Sequence, residues 1–229
     1  MDMQQKLTQI KQVITQTALK SSRNPEEILL LAVSKQQSIT AIKEAFALGL
    51  THFGESYFQE ALIKITNLSD LPLHWHFIGP IQSNKAKGIT QHFSWVHSIN
   101  RFKIAQLLSK YRPPNTEPLN VCLQVNLIPE ATKSGITPEK VAQLALAVSH
   151  LPNLKLRGLM TIPPTPENQQ QQYTLFMQLN QLLHDLNLKL GLTMDTLSMG
   201  MTDDLVPAIQ AGATIVRLGR AIFGERQKV

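Results

Sequence analysis

The feature that most constrains the fold is a repeated alternation of short apolar segments with amphipathic helical segments. Residues 28–33 form an unbroken apolar run, which is typical of a strand covered on both faces in a parallel sheet. Ser38 then predicts a helix N-cap, and Gly49 predicts the end of that helix. Eight segments are predicted as strands: 28–33, 52–53, 74–78, 95–98, 120–126, 155–160, 196–199 and 214–218.

Helical segments separate the predicted strands, and an amphipathic helix carrying Leu7, Ile10, Val13 and Ile14 precedes the first strand and ends near 21–25. Later helices are predicted after Glu55, from Ser83, over 101–110, at the Thr137-Pro138 and Thr165-Pro166 entries, and from Thr202 with Asp203 and Asp204. This pattern predicts a single α/β domain over 1–229, a (β/α)8 TIM-like barrel. An open doubly wound sheet is the alternative.

Charge and apolar content narrow the class of protein. The net charge is +6, but the 22 Lys and Arg residues are scattered without interleaved aromatic residues, so we expect a solvated basic surface and no nucleic-acid partner. No apolar run approaches the roughly 20 residues of a membrane span, and we expect no membrane association. The N-terminus lacks a secretory pattern, and Cys122 is the single cysteine. We therefore expect a cytoplasmic protein.

His74 and His76 alternate along one predicted strand and so share a face. They could in principle bind a metal ion, with His92 and His97 nearby in the sequence. Because no cysteine or carboxylate cluster completes a ligand set, we expect core histidines and no metal. Signatures of phosphate loops, dinucleotide turns, zinc proteases and hydrolase elbows are also absent.

Lys35 directly follows the first predicted strand and therefore lies at the carboxyl end of that strand, where (β/α)8 barrels place their active sites. A lysine amine partly withdrawn from water there could form a Schiff base with an aldehyde or keto ligand. A solvated lysine at a strand exit is the alternative.

The last two predicted strands are followed by glycines, in the loops where such barrels hold a phosphate. Ser198 and Gly200 follow the seventh strand, and Gly219 follows the eighth, so we expect a phosphate group there. Arg217 lies within the eighth strand and needs an acceptor if buried. The candidates are a carboxylate, from Asp195, Asp203 or Asp204, or an acceptor atom of a ligand.

Several motifs together resemble those of a known family. They are AVSK at 32–35, FGESYFQE at 53–60, HWHFIGPIQSNK at 74–85, RGLMTI at 157–162, LSMGMTDD at 197–204 and VRLGRAIFGER at 216–226. In this order and spacing they resemble the pyridoxal-phosphate homeostasis proteins, which are similar to the N-terminal barrel of alanine racemase. The resemblance implies that fold, the fold of type III pyridoxal-phosphate proteins, and pyridoxal 5'-phosphate as the cofactor.

The resemblance also implies which residues contact the cofactor: Lys35, Ser198, Gly200, Arg217, Gly219 and Arg220. Lys35 would form the Schiff base, and Arg217 would face the pyridine nitrogen. The other four would anchor the phosphate. The family usually reads FGEN where this chain has Ser56, so a contact made by that asparagine is not carried over to Ser56.

The function implied is pyridoxal-phosphate handling in vitamin B6 and amino-acid homeostasis, without turnover and as a monomer, with pyridoxal-phosphate-dependent apo-enzymes left open as partners. An arginine can only donate to the pyridine nitrogen, which makes the ring a poorer electron sink. Related racemases add a tyrosine from a second domain, which we do not expect here, and we place none of Tyr57, Tyr111 and Tyr173 at a strand's carboxyl end. The alternatives are an amino-acid racemase or decarboxylase, and a barrel enzyme acting on sugar phosphates.

Overall fold

A computed structural model describes residues 1–128, 134–163 and 168–224, in which eight parallel strands alternate with helices and close into a barrel. The strands are β1 Leu29–Val33, β2 His52–Glu55, β3 His74–Phe77, β4 Trp95–Ile99, β5 Leu119–Gln124, β6 Leu154–Met160, β7 Thr196–Ser198 and β8 Ile215–Leu218. The helices are α1 Met3–Lys20, α2 Ile39–Ala47, α3 Phe58–Asn67, α4 Ala86–His92, α5 Phe102–Tyr111, α6 Pro138–Ser149, α7 Gln169–Leu190, α8 Leu205–Gln210 and α9 Arg220–Phe223.

The predicted barrel is confirmed, and the open sheet is excluded, because β1 pairs with β8 as well as with β2. Each of the eight predicted strands is present, with its ends shifted by at most two residues. Parallel pairing places all the strand carboxyl ends at one mouth of the barrel, which is the end that carries function in this architecture.

The helix signals were mostly right. Ser38 caps α2 by accepting a hydrogen bond from the Ala41 N–H, and Gly49 ends it with a φ of +91° that glycine adopts readily. In α1, Leu7, Ile10 and Ile14 are buried as expected. Val13 is instead exposed, so it does not belong to the core-facing stripe of α1.

Two predicted helix starts differ or cannot be compared. The helix expected from Thr202 begins three residues later, at Leu205, because 202–204 form a turn in which the Asp204 carboxylate accepts a hydrogen bond from the Met201 N–H. The Thr165-Pro166 entry lies outside the described residues. The described part of that helix, α7, begins at Gln169 and is capped by Asn168.

The core lies between the barrel and its helices and also fills the barrel interior. Cys122 in β5 is fully buried, as predicted for a strand residue. None of the helices within the described ranges combines the length and the apolar character of a membrane span.

Candidate functional site

A cavity of about 230 Å3 opens at the carboxyl ends of the strands, beside β1 and β8. Its volume lies just below the roughly 300–1,000 Å3 typical of sites for drug-sized ligands, so it suits a small molecule. Twelve residues line it: Val33, Lys35, Ser56, Ile78, Ile162, Met201, Thr202, Asp203, Asp204, Arg217, Gly219 and Arg220.

Lys35 lies in the turn that follows β1 and is half-buried at the cavity wall. The next residue, Gln36, has a φ of +61°, a left-handed conformation that costs a non-glycine residue about 1 kcal/mol. Such a backbone persists only where its surroundings hold it. The turn that presents Lys35 therefore needs specific support.

That support comes from three charged residues, Glu55, Glu60 and Lys64, which we call the charged cluster. The Lys64 ammonium donates to the Ser34 carbonyl at 2.7 Å, and Glu60 accepts from the Gln36 N–H at 2.5 Å. Both contacts are to the backbone on either side of Lys35. The charged cluster thus fixes the path of the turn while Lys35 itself lines the cavity.

Within the charged cluster the charges compensate one another. Lys64 lies 2.8 Å from Glu55 Oε1 and 2.6 Å from Glu60 Oε1, and the Ser34 hydroxyl also donates to Glu55 at 2.6 Å. Burial raises the pKa of Glu55, although Lys64 and Ser34 oppose that shift. Glu55 Oε2 has no hydrogen-bond partner among the described residues.

Arg217 enters the same cavity from β8 and is 4% exposed. Its guanidinium donates from Nη1 to Ser198 Oγ and from Nη2 to the Thr161 carbonyl, each at 2.9 Å. It forms no ion pair with a carboxylate within the described ranges, and Asp204 acts on it at longer range. Burial lowers the pKa of Arg217 to about 10, so the guanidinium remains charged at neutral pH.

The carboxylates considered as partners of Arg217 are engaged elsewhere. Asp195 pairs with Arg157 at 2.7 Å, and Asp203 pairs with Arg220 at 2.9 Å on the surface. Asp204 accepts from the Met201 N–H, and burial raises its pKa.

Below Arg217, three histidines form a continuous hydrogen-bonded line through the barrel interior. His97 Nδ1 lies 2.8 Å from Ser198 Oγ, His97 Nε2 lies 3.0 Å from His76 Nδ1, and His76 Nε2 lies 2.9 Å from His52 Nδ1. We call His52, His76 and His97 the histidine chain. It runs from Ser198, beneath Arg217, to the amino-terminal end of β2, where His52 is half-buried.

The histidine chain is neutral. Burial, reinforced by the charge of Arg217, lowers the pKa of His97 to about 3. Burial also lowers the pKa of His76 well below its usual value and that of His52 to about 4. The expectation that His76 is a core histidine is confirmed, whereas His74 is exposed. No group of residues suited to metal binding occurs within the described ranges.

The glycines after β7 and β8 are closely packed. A Cβ at Gly200 would lie 2.6 Å from the Ala208 Cβ, and its φ is +94°. A Cβ at Gly219 would lie 3.2 Å from the Val33 carbonyl oxygen. Gly219 also lines the cavity, whereas Gly200 packs against α8.

Comparison with known proteins places this arrangement in a family. The alanine racemase N-terminal domain model matches residues 11–227. A pyridoxal phosphate homeostasis protein of Pseudomonas aeruginosa is 56% identical over 213 residues, covering 93% of this chain and 91% of that protein. The chain belongs to the pyridoxal phosphate homeostasis protein family.

Other members of this pyridoxal phosphate homeostasis family agree. The Escherichia coli K12 member is 44% identical over 228 residues, covering 98% of this chain and 97% of that one. The solved structure of PipY from Synechococcus elongatus, with pyridoxal phosphate bound, is 36% identical with a TM-score of 0.83, covering 93% of this chain and all of that one. An alanine racemase of Clostridium difficile, at 14% identity with a TM-score of 0.76 over 99% of this chain and 57% of that one, shares the fold.

In this family member, the structure brings four of the six predicted site residues to one cavity. Lys35, Arg217, Gly219 and Arg220 line it together. Ser198 is fully buried beneath Arg217, and the Gly200 carbonyl accepts from the Arg217 N–H. Ser198 and Gly200 therefore contact Arg217 and do not line the cavity.

Two residues near the cavity were set aside by the sequence analysis. Ser56, the departure from the family's asparagine, lines the cavity wall. Tyr57 follows Ser56, lies two residues beyond the carboxyl end of β2 and is exposed. The strand β2 runs to Glu55, two residues further than predicted.

Sequence reasoning missed the residues that support Lys35 and Arg217. Glu60 and Lys64 are spaced i, i+4 on α3, a spacing that signals a helix-surface pair and not a contact with another loop. His76 and His97 each lie in the middle of a strand, and their separation of 21 residues predicts no contact by itself. The available signal was Lys64, a charged residue at a core-facing position of α3.

Proposed function

We propose that this protein binds pyridoxal 5'-phosphate, holds it as a Schiff base on Lys35 and serves pyridoxal-phosphate homeostasis without catalytic turnover. The observation that carries the proposal is that Lys35 and Arg217 line the same cavity in a chain that belongs to this family. The bound PipY structure supports it, since that relative takes the same cofactor.

The residues at the cavity suit the chemical groups of pyridoxal phosphate. A primary amine at Lys35 can attack the aldehyde carbon, forming a C=N bond and releasing water. The charged guanidinium of Arg217 can donate to the pyridine nitrogen and cannot accept from it. For the phosphate we propose the backbone at Gly219 and Arg220, with Ser198 and Gly200 supporting that side of the cavity from below.

The absence of turnover is proposed from the character of Arg217. A donor that keeps its proton leaves the pyridine nitrogen unprotonated, which weakens the ring as an electron sink. Racemase or decarboxylase chemistry is the alternative, and it needs a second acid or base besides the lysine. Tyr57 is the residue to test for it, because of its place after β2. Exchange of the α-hydrogen of amino acids, faster than with free cofactor and lost in Tyr57→Phe, would favour the enzyme.

The decisive experiment is reduction of the loaded protein with borohydride, followed by peptide mass mapping. We expect an absorption band that bleaches on reduction and a label on Lys35. Lys35→Ala should lose the label and remain folded. The control is Lys43→Ala, an exposed lysine on α2, which should keep it. A label retained in Lys35→Ala would contradict the assignment, and a protein that takes up no cofactor would favour the sugar-phosphate enzyme.

We further propose that the chain is one domain, acts as a monomer in the cytoplasm and supplies pyridoxal phosphate to apo-enzymes. Lys35 is half-buried at a cavity that opens at the barrel mouth, which supports release of the cofactor. Transfer is measured as activity regained by an apo-enzyme mixed with the loaded protein. Sedimentation of the loaded protein tests the monomer.

A further inference from the structure

The geometry of the histidine chain couples its three rings. A neutral imidazole carries one N–H and one bare ring nitrogen, and both nitrogens of His76 and of His97 are engaged. His76 and His97 therefore each donate from one ring nitrogen and accept at the other. Once the proton position of one ring is set, the other two follow, and only two arrangements satisfy the chain.

In the first arrangement the Ser198 hydroxyl donates to His97 Nδ1, and all three rings carry the proton on Nε2. In the second, all three carry it on Nδ1, and His97 donates to Ser198 Oγ. The Ser198 hydroxyl hydrogen then needs a further acceptor, and among the described residues its hydroxyl contacts only His97 and Arg217. Hydrogen-bond satisfaction therefore favours the first arrangement.

Electrostatics favours the same arrangement. Arg217 can only donate, and its Nη1 donates to Ser198 Oγ at 2.9 Å. With the proton on Nε2, each imidazole turns its electron-rich nitrogen toward Ser198 and the guanidinium beyond it. The aligned dipoles stabilise the buried positive charge, and hydrogen bonds in such a line polarise one another. A bare carboxylate in that place would pair with the guanidinium directly.

We propose that the histidine chain is a positioning device, uniformly protonated on Nε2, that holds Arg217 as a charged donor toward the pyridine nitrogen of pyridoxal phosphate. The role toward pyridoxal phosphate rests on the proposed function. The protonation pattern belongs to the protein without cofactor and stands independently of it. His97 is the first link, because it alone of the three contacts the serine that accepts from Arg217.

The pattern is tested in the protein without cofactor by long-range 1H–15N correlation spectra of the labelled chain at pH 7. We expect His52, His76 and His97 each to show a protonated Nε2 and a bare Nδ1. The single variants His52→Asn, His76→Asn and His97→Asn assign the signals. A ring of the chain protonated on Nδ1, or on both nitrogens, overturns the proposal.

The positioning role is tested with two variants at the first link. In His97→Asn the amide oxygen can still accept from the Ser198 hydroxyl, whereas His97→Leu fills similar space and offers no acceptor. We expect the dissociation constant for pyridoxal phosphate to rise roughly ten-fold in His97→Leu and to stay within about two-fold of the parent in His97→Asn. Equal dissociation constants for the two variants overturn the positioning role.

A second measurement of the positioning role does not involve the cofactor. In the unloaded protein, the Arg217 Nη hydrogens should give slowly exchanging NMR signals that persist in His97→Asn and are lost in His97→Leu. Signals that survive in both variants overturn the proposal. If the parent protein takes up no pyridoxal phosphate, the proposed function fails, yet the protonation pattern and the Arg217 signals still decide whether the chain holds the arginine. Should His97→Leu not fold, the spectra of the parent protein decide.

Discussion

Lys35 and Arg217 line the same cavity but are supported in opposite ways. The charged cluster contacts the backbone on both sides of Lys35, at Ser34 and Gln36. Arg217 is instead held through its own side chain, by Ser198 and a neutral line of histidines. Charged side chains therefore hold the turn around Lys35, whereas uncharged side chains hold the charged guanidinium of Arg217.

The difference follows from what each group offers to a ligand. For the proposed Schiff base the Lys35 amine needs a defined backbone position, and the charged cluster supplies it through contacts to the main chain. A guanidinium that recognises an acceptor needs its charge intact, and a buried carboxylate partner would take up its donors. Neutral acceptors leave that charge directed at the cavity. Four changes sharpen this contrast.

The largest effect is expected from Lys64→Met, which leaves the Glu55 carboxylate buried without its cation. Breaking a buried pair from one side typically costs about 3–5 kcal/mol of unfolding free energy, to be measured by urea denaturation. Asp203→Asn is the control, because it breaks the exposed pair with Arg220 and should cost less than about 1 kcal/mol. Equal losses in the two variants would show that the charged cluster is not what stabilises this wall.

A smaller loss is expected from His76→Leu, which removes the middle of the histidine chain. The change strands hydrogen-bonding nitrogens on His52 and His97 but no charge, so about 1–3 kcal/mol is expected in the same measurement. His184→Leu, on the exposed face of α7, should be close to neutral. If His76→Leu lowers the unfolding free energy more than Lys64→Met does, the histidine chain and not the charged cluster contributes more to stability.

The contribution of the histidine chain to stability should also be sensitive to acid. The pKa of His97 is near 6.5 in the unfolded chain, and burial lowers it to about 3 in the folded protein, so well above pH 6.5 neither state is protonated there and stability is complete. As the pH falls from 6.5 toward 3 the unfolded chain takes up the proton first, and stability declines by about 1 kcal/mol per pH unit from His97 alone. His52 shifts in the same direction, to about 4.

Urea midpoints between pH 7 and 5 measure this decline. In His97→Asn the group that titrates is gone, so the dependence on pH should be shallower than in the parent protein. Parallel pH profiles would mean that His97 takes up its proton over the same pH range in the folded and the unfolded protein, which would contradict a His97 that stays neutral in the folded protein.

The smallest effect is expected from Gln36→Gly. Glycine adopts the φ of +61° easily and keeps the N–H that donates to Glu60. Relief of that conformation offsets the added flexibility of the unfolded chain, and the unfolding free energy should change by less than about 1 kcal/mol. A larger loss would show that the Gln36 side chain, and not the charged cluster, holds the turn.

The barrel and the ends of its strands could be predicted because their signals are local. Apolar runs, the Ser38 cap and the glycine after α2 each act within a few residues of the chain. Lys35 could be placed at a functional strand end for the same reason. The start of α8 was misplaced because Asp204, read as part of a first helical turn, bonds back to Met201 instead.

For Arg217, the sequence alone placed a cation within the last strand but left its burial, direction and partner open. The tertiary structure turned it into the barrel and gave it Ser198 and Thr161 in place of a carboxylate. His97 and Ser198 are 101 residues apart, on strands that are not neighbours in the sheet. Only the closure and register of the barrel bring such side chains together, because the period of a strand fixes which face a residue occupies and not what lies across the interior.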